Sequence, residues 1–579
     1  ALAGDALTTG SYNTALGYGA LSADDLGSQS VAIGYHALVA QNYATATTSY
    51  NVAVGSNAGA NISIGTLNTA VGGLALDADT KGSRSVAIGY TALSNQNFTT
   101  ATDSNNTAVG FQAGVNVTVG KSNTFIGTES GEALTDADFN VAVGQFALHQ
   151  DTLGSKSTAV GYAALNTQNF DSTNLGATDV YNVAVGHLAG TSITTGVRNT
   201  LIGGLAGDGL TEGNNNVALG AFALGSDTFG DRSVAIGVDA LFNQNFTTDT
   251  DTYNTAVGFQ AGVTLQDGQF NTFIGAFAGD STDDGNNNVA LGYNALSANC
   301  GAENVSIGSE SGVLLTGGNN VFIGKDAGNA ATSTDDSVLI GHNAGGDGTM
   351  TGHDNVIIGS QAGSAVTGGR NVIIGKSAAS TTTNLTSGTD NIFIGFQNKT
   401  NGGGTTNAIC MGDSVTAQGA NIFTFGKDST SSSITFGAQS IDSPSDERYK
   451  ENIQTATAGL AFINDLRPVT FQWKKEKDVP TDHEAYVEGS DTRVMLSNGE
   501  TNHGFIAQEV KAVIDAHSEI KDGFKMWSVE QREDAEGNPV ENTRQRLAPS
   551  ELIPMLTKAI QELSAKNDAL EARIATLEG

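Results

Sequence analysis

Ser445 and Lys450 stand five residues apart in the stretch S-D-E-R-Y-K-E-N-I, Ser445 to Ile453. A serine hydroxyl attacks a carbonyl when a base takes its proton, and lysine is that base only where desolvation lowers its pKa. The same residues also read as a helix cap, S-D-E-R, followed by a solvated lysine. Type and spacing alone leave both readings open.

Other reactive sets are thin. A glycosidase needs two carboxylates held across a sugar, yet residues 1–428 hold few Glu, and their Asp lie mainly in repeated turns such as Asp24-Asp25 and Asp335-Asp336. Asp280-Ser-Thr-Asp283-Asp284-Gly-Asn offers oxygens for calcium; turn residues that favour Asp and Asn explain it as well. His36, His149, His187, His342 and His353 show no ligand spacing and are expected on the surface, with no metal and no cofactor. Cys300, in a loop, and Cys410, in a strand, give no disulfide framework and are expected as partly buried free thiols.

Gly at 74 residues and Pro at 6 in 579 exclude collagen and favour tight turns repeated regularly. The net charge is -33, of which residues 1–444 carry -24 (11 Lys and Arg against 35 Asp and Glu) and residues 445–579 carry -9. Such acidity argues against nucleic acid and anionic membranes as partners, and no apolar run reaches the length of a membrane span.

A repeated unit dominates residues 1–428. It runs Asn or Ser, then apolar residues or Thr, then Gly: S-V-A-I-G at Ser30, Ser85 and Ser233, N-T-A-V-G at Asn68, Asn106 and Asn254, N-V-I-I-G at Asn355 and Asn371. The closing glycines recur at a nearly constant step, as at Gly55, Gly72 and Gly89. Four longer spacings each contain a Gln-Asn-aromatic signature: Gln41-Asn42-Tyr43, Gln96-Asn97-Phe98, Gln168-Asn169-Phe170 and Gln244-Asn245-Phe246. Insertions at matching places in a solenoid emerge as loops on one face, so these twelve residues are the candidates for receptor binding. In S-V-A-I-G, Val and Ile face one side of a strand and Ala the other. A coil covers only its inside, so the second apolar face calls for another chain. Asn before the strand is placed to bond backbone or to form a ladder with the next coil. One unit per coil gives roughly 24 coils at ~4.8 Å, a rod of about 115 Å.

Most of residues 10–428 resemble, through these S-V-A-I-G and N-T-A-V-G units, the left-handed parallel β-roll of trimeric autotransporter adhesin heads. The resemblance implies a homotrimeric fibre. The period is lost over residues 429–444, which are rich in Ser and Thr and read as an extended linker.

From Ser445 the chain changes character. A helix is expected over Ala456–Leu466, a strand over Val469–Trp473, and a further helix ending near Ala516. The final stretch, about 550–579, carries heptads: Ile553, Ile560, Asn567 and Ile574 at a, Leu556, Leu563, Leu570 and Leu577 at d. That seam predicts a coiled coil. Isolated coils with these residues favour two strands; the long roll sets three, and the seam is assigned to trimerisation.

S-D-E-R-Y-K-E-N-I from Ser445, L-R-P-V-T-F-Q-W from Leu466, G-F-I-A-Q-E-V from Gly504 and L-I-P-M-L-T-K-A-I-Q-E-L from Leu552 resemble the intramolecular chaperone domain of phage tail spikes and endosialidases, the self-cleaving peptidase S74 family. The resemblance spans 445–579. It implies a domain that trimerises, templates folding of the preceding fibre and cuts itself free at Pro444–Ser445, with Ser445 as nucleophile and Lys450 as base. The expected whole is mainly β: a trimeric β-roll fibre (1–428), a linker (429–444) and a small α+β chaperone domain (445–579). It would be extracellular, attached to other virion tail proteins at its N-terminus and to a host receptor or glycan. A bacterially encoded trimeric adhesin, a glycan-degrading spike and a purely structural spacer are the competing readings.

Overall fold

In a computed structural model the chain divides into two compact units, Ala1–Pro444 and Ser445–Gly579. The structure describes all residues except 1, 172–177, 381–384, 438–449, 482–484, 495–500, 523 and 530–544.

The first unit is a solenoid. Three-residue strands, one per coil, pair in parallel with the coil before and the coil after: Val52–Val54 pairs with Val31–Ile33 and with Thr69–Val71, residue for residue. Among the described residues these strands, with the antiparallel strand Ser432–Thr435 at the end, make one 25-stranded sheet. Beyond the first coil the middle residue of each of these three-residue strands points into the coil and is fully buried, whether Ala53, Phe125, Phe273 or Ile357. Its neighbours face outward and keep much of their surface, as at Leu16, Ile126, Leu219 and Leu291.

Interior volume is balanced between positions. Ala32 and Ala70 share their coils with buried Leu38 and Leu76. In the coil of Phe125, glycine replaces that leucine: a Cβ on Gly131 would lie 2.4 Å from the Phe125 ring. The glycine closing each strand is required by contact between coils. Gly220 has φ +140°, and a Cβ there would meet the Gly237 carbonyl oxygen at 2.4 Å.

A column of buried asparagines runs beside the strands. The Asn199 side-chain amide donates to the Gly213 carbonyl of its own coil (2.8 Å), and its Oδ1 accepts the backbone N–H of Asn216 in the next coil (2.9 Å). Asn216 repeats the pattern with Gly230 and Ser233 (2.8 Å each). The same two bonds recur at Asn51, Asn106, Asn123, Asn140 and Asn271. This is the ladder expected from the sequence. Both thiols, Cys300 and Cys410, are buried and free. The expected linker is in part structured: Ser432–Thr435 folds back as a strand antiparallel to Ile422–Lys427, because alternating Ser, Ile and Thr can still pair with the exposed edge of the last coil.

The second unit is α+β. Helix α1 (Leu460–Asp465) is shorter than expected, starting only after Gly459. The strand Val469–Phe471 pairs antiparallel with Asn502–Gly504. Helix α2 (Ala507–Ala516) follows, then the strand pair Trp527–Val529 and Gln545–Leu547, then helix α3 (Ile553–Glu578). Phe462, Leu466, Val510, Ile514, Met526 and Leu552 form the core. Among the described residues no helix is long and apolar enough to cross a membrane.

Asn199→Ala would leave a buried carbonyl and a buried N–H unmet, at about 2–4 kcal/mol. Asn199→Asp keeps the acceptor but sets an oxygen against the Gly213 carbonyl, so its loss should shrink at acidic pH, where the carboxyl carries a proton. Urea unfolding of the two variants at neutral and acidic pH checks both expectations.

Candidate functional site

The four insertions do not loop out at their signature residues. Gln41, Gln96, Gln168 and Gln244 are fully buried, and Tyr43, Phe98, Phe170 and Phe246 nearly so. Only the asparagines between them reach solvent: Asn42, Asn97 and Asn245 are exposed and Asn169 is half-buried. The reason is a polar network. The Gln244 amide donates to the Asp227 carboxylate (2.6 Å) and to Ser233 Oγ (2.8 Å), and its oxygen accepts from Asn254 Nδ2 (2.9 Å). Asp227 Oδ1 also accepts the backbone N–H groups of Gly230 and Phe246. Asp24–Gln41, Asp79–Gln96 and Asp151–Gln168 repeat the arrangement. Serine stands in the asparagine column at these coils and is too short to cross the interior, so glutamine from the insertion fills the span. Burial pushes the Asp151 and Asp227 carboxyls up, and the glutamine and backbone donors oppose that push.

Later in each insertion a two-residue strand pairs in parallel with one of the preceding coil. Thr102–Asp103 pairs with Gly82–Ser83, and Thr250–Asp251 with Gly230–Asp231. Exposed ion pairs tie these edges: Arg84 to Asp103 (3.0 Å), Lys156 to Asp179 (2.5 Å) and Arg232 to Asp251. Beside the fourth insertion an open cleft of about 590 Å³ is lined by Asn245, Thr247, Gln266, Asp267, Asp283 and Asp284, among others. Asp283, by a hydrogen bond and by its charge, raises the Asp284 carboxyl above its usual range.

One cluster escaped the sequence reading. Glu129, Glu132 and His149 bring their ligand atoms within 4.8 Å of one another, and His149 Nδ1 lies 3.1 Å from Glu132 Oε2. Glu132 and His149 are one repeat apart along the chain, so aligning the sequence coil by coil would have placed them one above the other.

In the second unit Lys450 is exposed. Pro444 and Ser445, with the expected helix cap, lie outside the described residues. The motifs that follow do come together. Arg467, of L-R-P-V-T-F-Q-W, pairs with Glu509, of G-F-I-A-Q-E-V (2.9 Å through Nε), and each shifts the other toward its charged form. The strands carrying the two motifs are hydrogen-bonded, Val469 opposite Gly504. His517 at the end of α2 sets Nδ1 against Glu519 and Nε2 against Asp465 of α1 (2.9 Å each), and these two carboxylates raise its pKa.

Residues 445–519 match the family model Peptidase_S74, described as chaperone of endosialidase. The second unit therefore carries a Peptidase_S74-like chaperone domain, behind an extended β-solenoid. No curated protein and no solved structure matches the chain. On α3 the heptad residues Ile553, Ile560, Leu563, Leu570, Ile574 and Leu577 stand exposed, with Leu577 at 84%. Asn567 is exposed and bonds Glu571 along the helix (3.0 Å).

Gln244→Ala would strip three bonds from a buried carboxylate network and should cost about 3 kcal/mol or more, read as a lower unfolding midpoint and new protease cuts near residue 245. For His517 the raised pKa means that its contribution is complete below the ordinary histidine value of about 6.5 and fades as pH rises through the folded value. Melting of the second unit should therefore fall between mildly acidic and mildly alkaline pH, and His517→Gln should flatten that dependence.

Proposed function

We propose that the chain is a homotrimeric extracellular fibre of the phage tail-fibre or spike kind, which attaches to a host surface and is assembled by its own C-terminal domain. The observation that carries this reading is a combination within one chain. The solenoid leaves an aliphatic outer strand face along its length, and a chaperone-type domain matched over 445–519 ends in a helix with an exposed apolar seam. Both surfaces fit further copies of the same chain. Gathering three C-termini raises the local concentration of solenoid segments and sets their register, which matters because parallel, non-local pairing is slow and exposes edges on the way.

Self-release follows from the same domain. Lys450 is exposed in the single chain, so it serves as base only once assembly covers it. Ser445 Oγ then attacks the Pro444 carbonyl carbon as its proton passes to the Lys450 amine. The C–N bond breaks as that proton reaches the Ser445 nitrogen, and water hydrolyses the resulting ester to a Pro444 carboxylate and a free hydroxyl. Loss of the domain removes the route back and leaves the fibre kinetically trapped. Receptor contact is assigned to the insertion edges through their solvent-facing residues, Asn42, Asn97, Asn169 and Asn245, with the buried glutamines and aromatics holding those edges in place.

Intact-mass analysis of freshly expressed protein tests the chemistry. Fragments split at Pro444–Ser445 are expected in the native chain and absent from Ser445→Ala and Lys450→Ala. A single uncut mass in all three would make the domain a retained trimerisation cap.

A further inference from the structure

Residues 451–457 are exposed, and Ala458 is buried in the core. The next two residues are held by α3. Glu562 Oε2 accepts the backbone N–H of Leu460 at 3.0 Å. Its carboxylate also lies so close to Gly459 that a Cβ there would sit 2.7–2.8 Å from it. Leu552, Met555, Ala559 and Glu562 follow one another at three- and four-residue steps, so they share one face of the helix. That face packs on the core through Leu552 and Met555, and Ala559 on it is buried. Ile560, Leu563 and Leu570 stand exposed away from it. A single helix therefore offers one side to further copies of the chain and grips with the other the point where the Lys450 segment is anchored.

We infer that Glu562 is a positioning residue coupling association through α3 to the placement of residues 450–460. Its consequence for cutting rests on the self-release reading; its geometry does not. Before the α3 helices associate, the helix and its carboxylate are held only by their own unit, and the Lys450 segment is anchored loosely. Association steadies α3, and Glu562 transmits that to the Leu460 N–H. Cutting would then wait for assembly.

Hydrogen exchange over residues 451–460 tests this in the full chain, made uncuttable by Ser445→Ala. Light scattering should show Glu562→Ala still associated, with these amides exchanging about tenfold faster for loss of one charge-assisted bond. Glu562→Gln, whose side-chain carbonyl accepts the same N–H, should restore the parent rate. Leu563→Asp, which breaks the seam, should loosen the same amides. Gly459→Ala, which displaces the carboxylate without removing it, should do so too and decides the matter if Glu562→Ala fails to fold. In the chain with Ser445 intact, Glu562→Ala should slow the appearance of cut fragments while Glu562→Gln does not. Unchanged exchange over 451–460 in Glu562→Ala or Leu563→Asp overturns the coupling. If the native chain yields no fragments, the self-release reading falls, and the exchange data still decide the coupling.

Discussion

A buried primary amide must find partners for both its ends, and in this solenoid it finds them in two different coils. The donor end of each column asparagine closes its own coil, as Asn199 does on Gly213, and the acceptor end takes the N–H of the coil above. Backbone groups that would otherwise be left unpaired in the interior are satisfied by one side chain. The column thus fixes the size of a coil and the spacing between coils together. Close glycine-to-glycine contacts and the single left-handed residues at the corners, such as Leu38, Asn57 and Tyr50, follow from holding so short a loop at that spacing.

The exceptions keep the same rule by other means. Where Ser30, Ser85, Ser157 and Ser233 interrupt the column, an aspartate and a glutamine from successive coils replace the missing reach. Among the described residues no cation meets these four aspartates. Their carboxylates are held by amide donors, an arrangement that demands fixed geometry and anchors the buried ends of the four insertions in the coil. The outer strand face has no such internal solution, since a coil can cover only one side of its own strand. Its aliphatic residues, like the seam on α3, stay exposed in the single chain.

Much of this was legible in the sequence because one period governs it. The strands, the closing glycines, the ladder and the two-faced strand follow from residues that recur once per coil. The Gln-Asn-aromatic insertions look like outward loops because insertions in solenoids usually are. The corrective signal was present: Gln41 stands one full period after Asp24, and each later glutamine stands one period after its aspartate, so the polar pairs belong to a buried column. Glu132 and His149 carry the same signal. Outside the period the reading was coarser. Ser432–Thr435 lacked the repeat that would mark it as a strand, and α1 begins late because Gly459 answers to Glu562, a contact distant in sequence that no local pattern encodes.

The ladder joins each coil only to its neighbours, and that has a consequence for how such a chain can change over generations. Removing or duplicating one whole period rejoins two equivalent carbonyls and amides, so the molecule can lengthen or shorten by whole coils while its local energetics stay the same. One departure smaller than a coil leaves a mark. Asn288 and Asn304 stand one residue closer than the column's usual step, and there the Asn288 amide nitrogen is buried without a partner. Reach is thereby freed from stability: one can drift in steps of a coil, the other is set coil by coil.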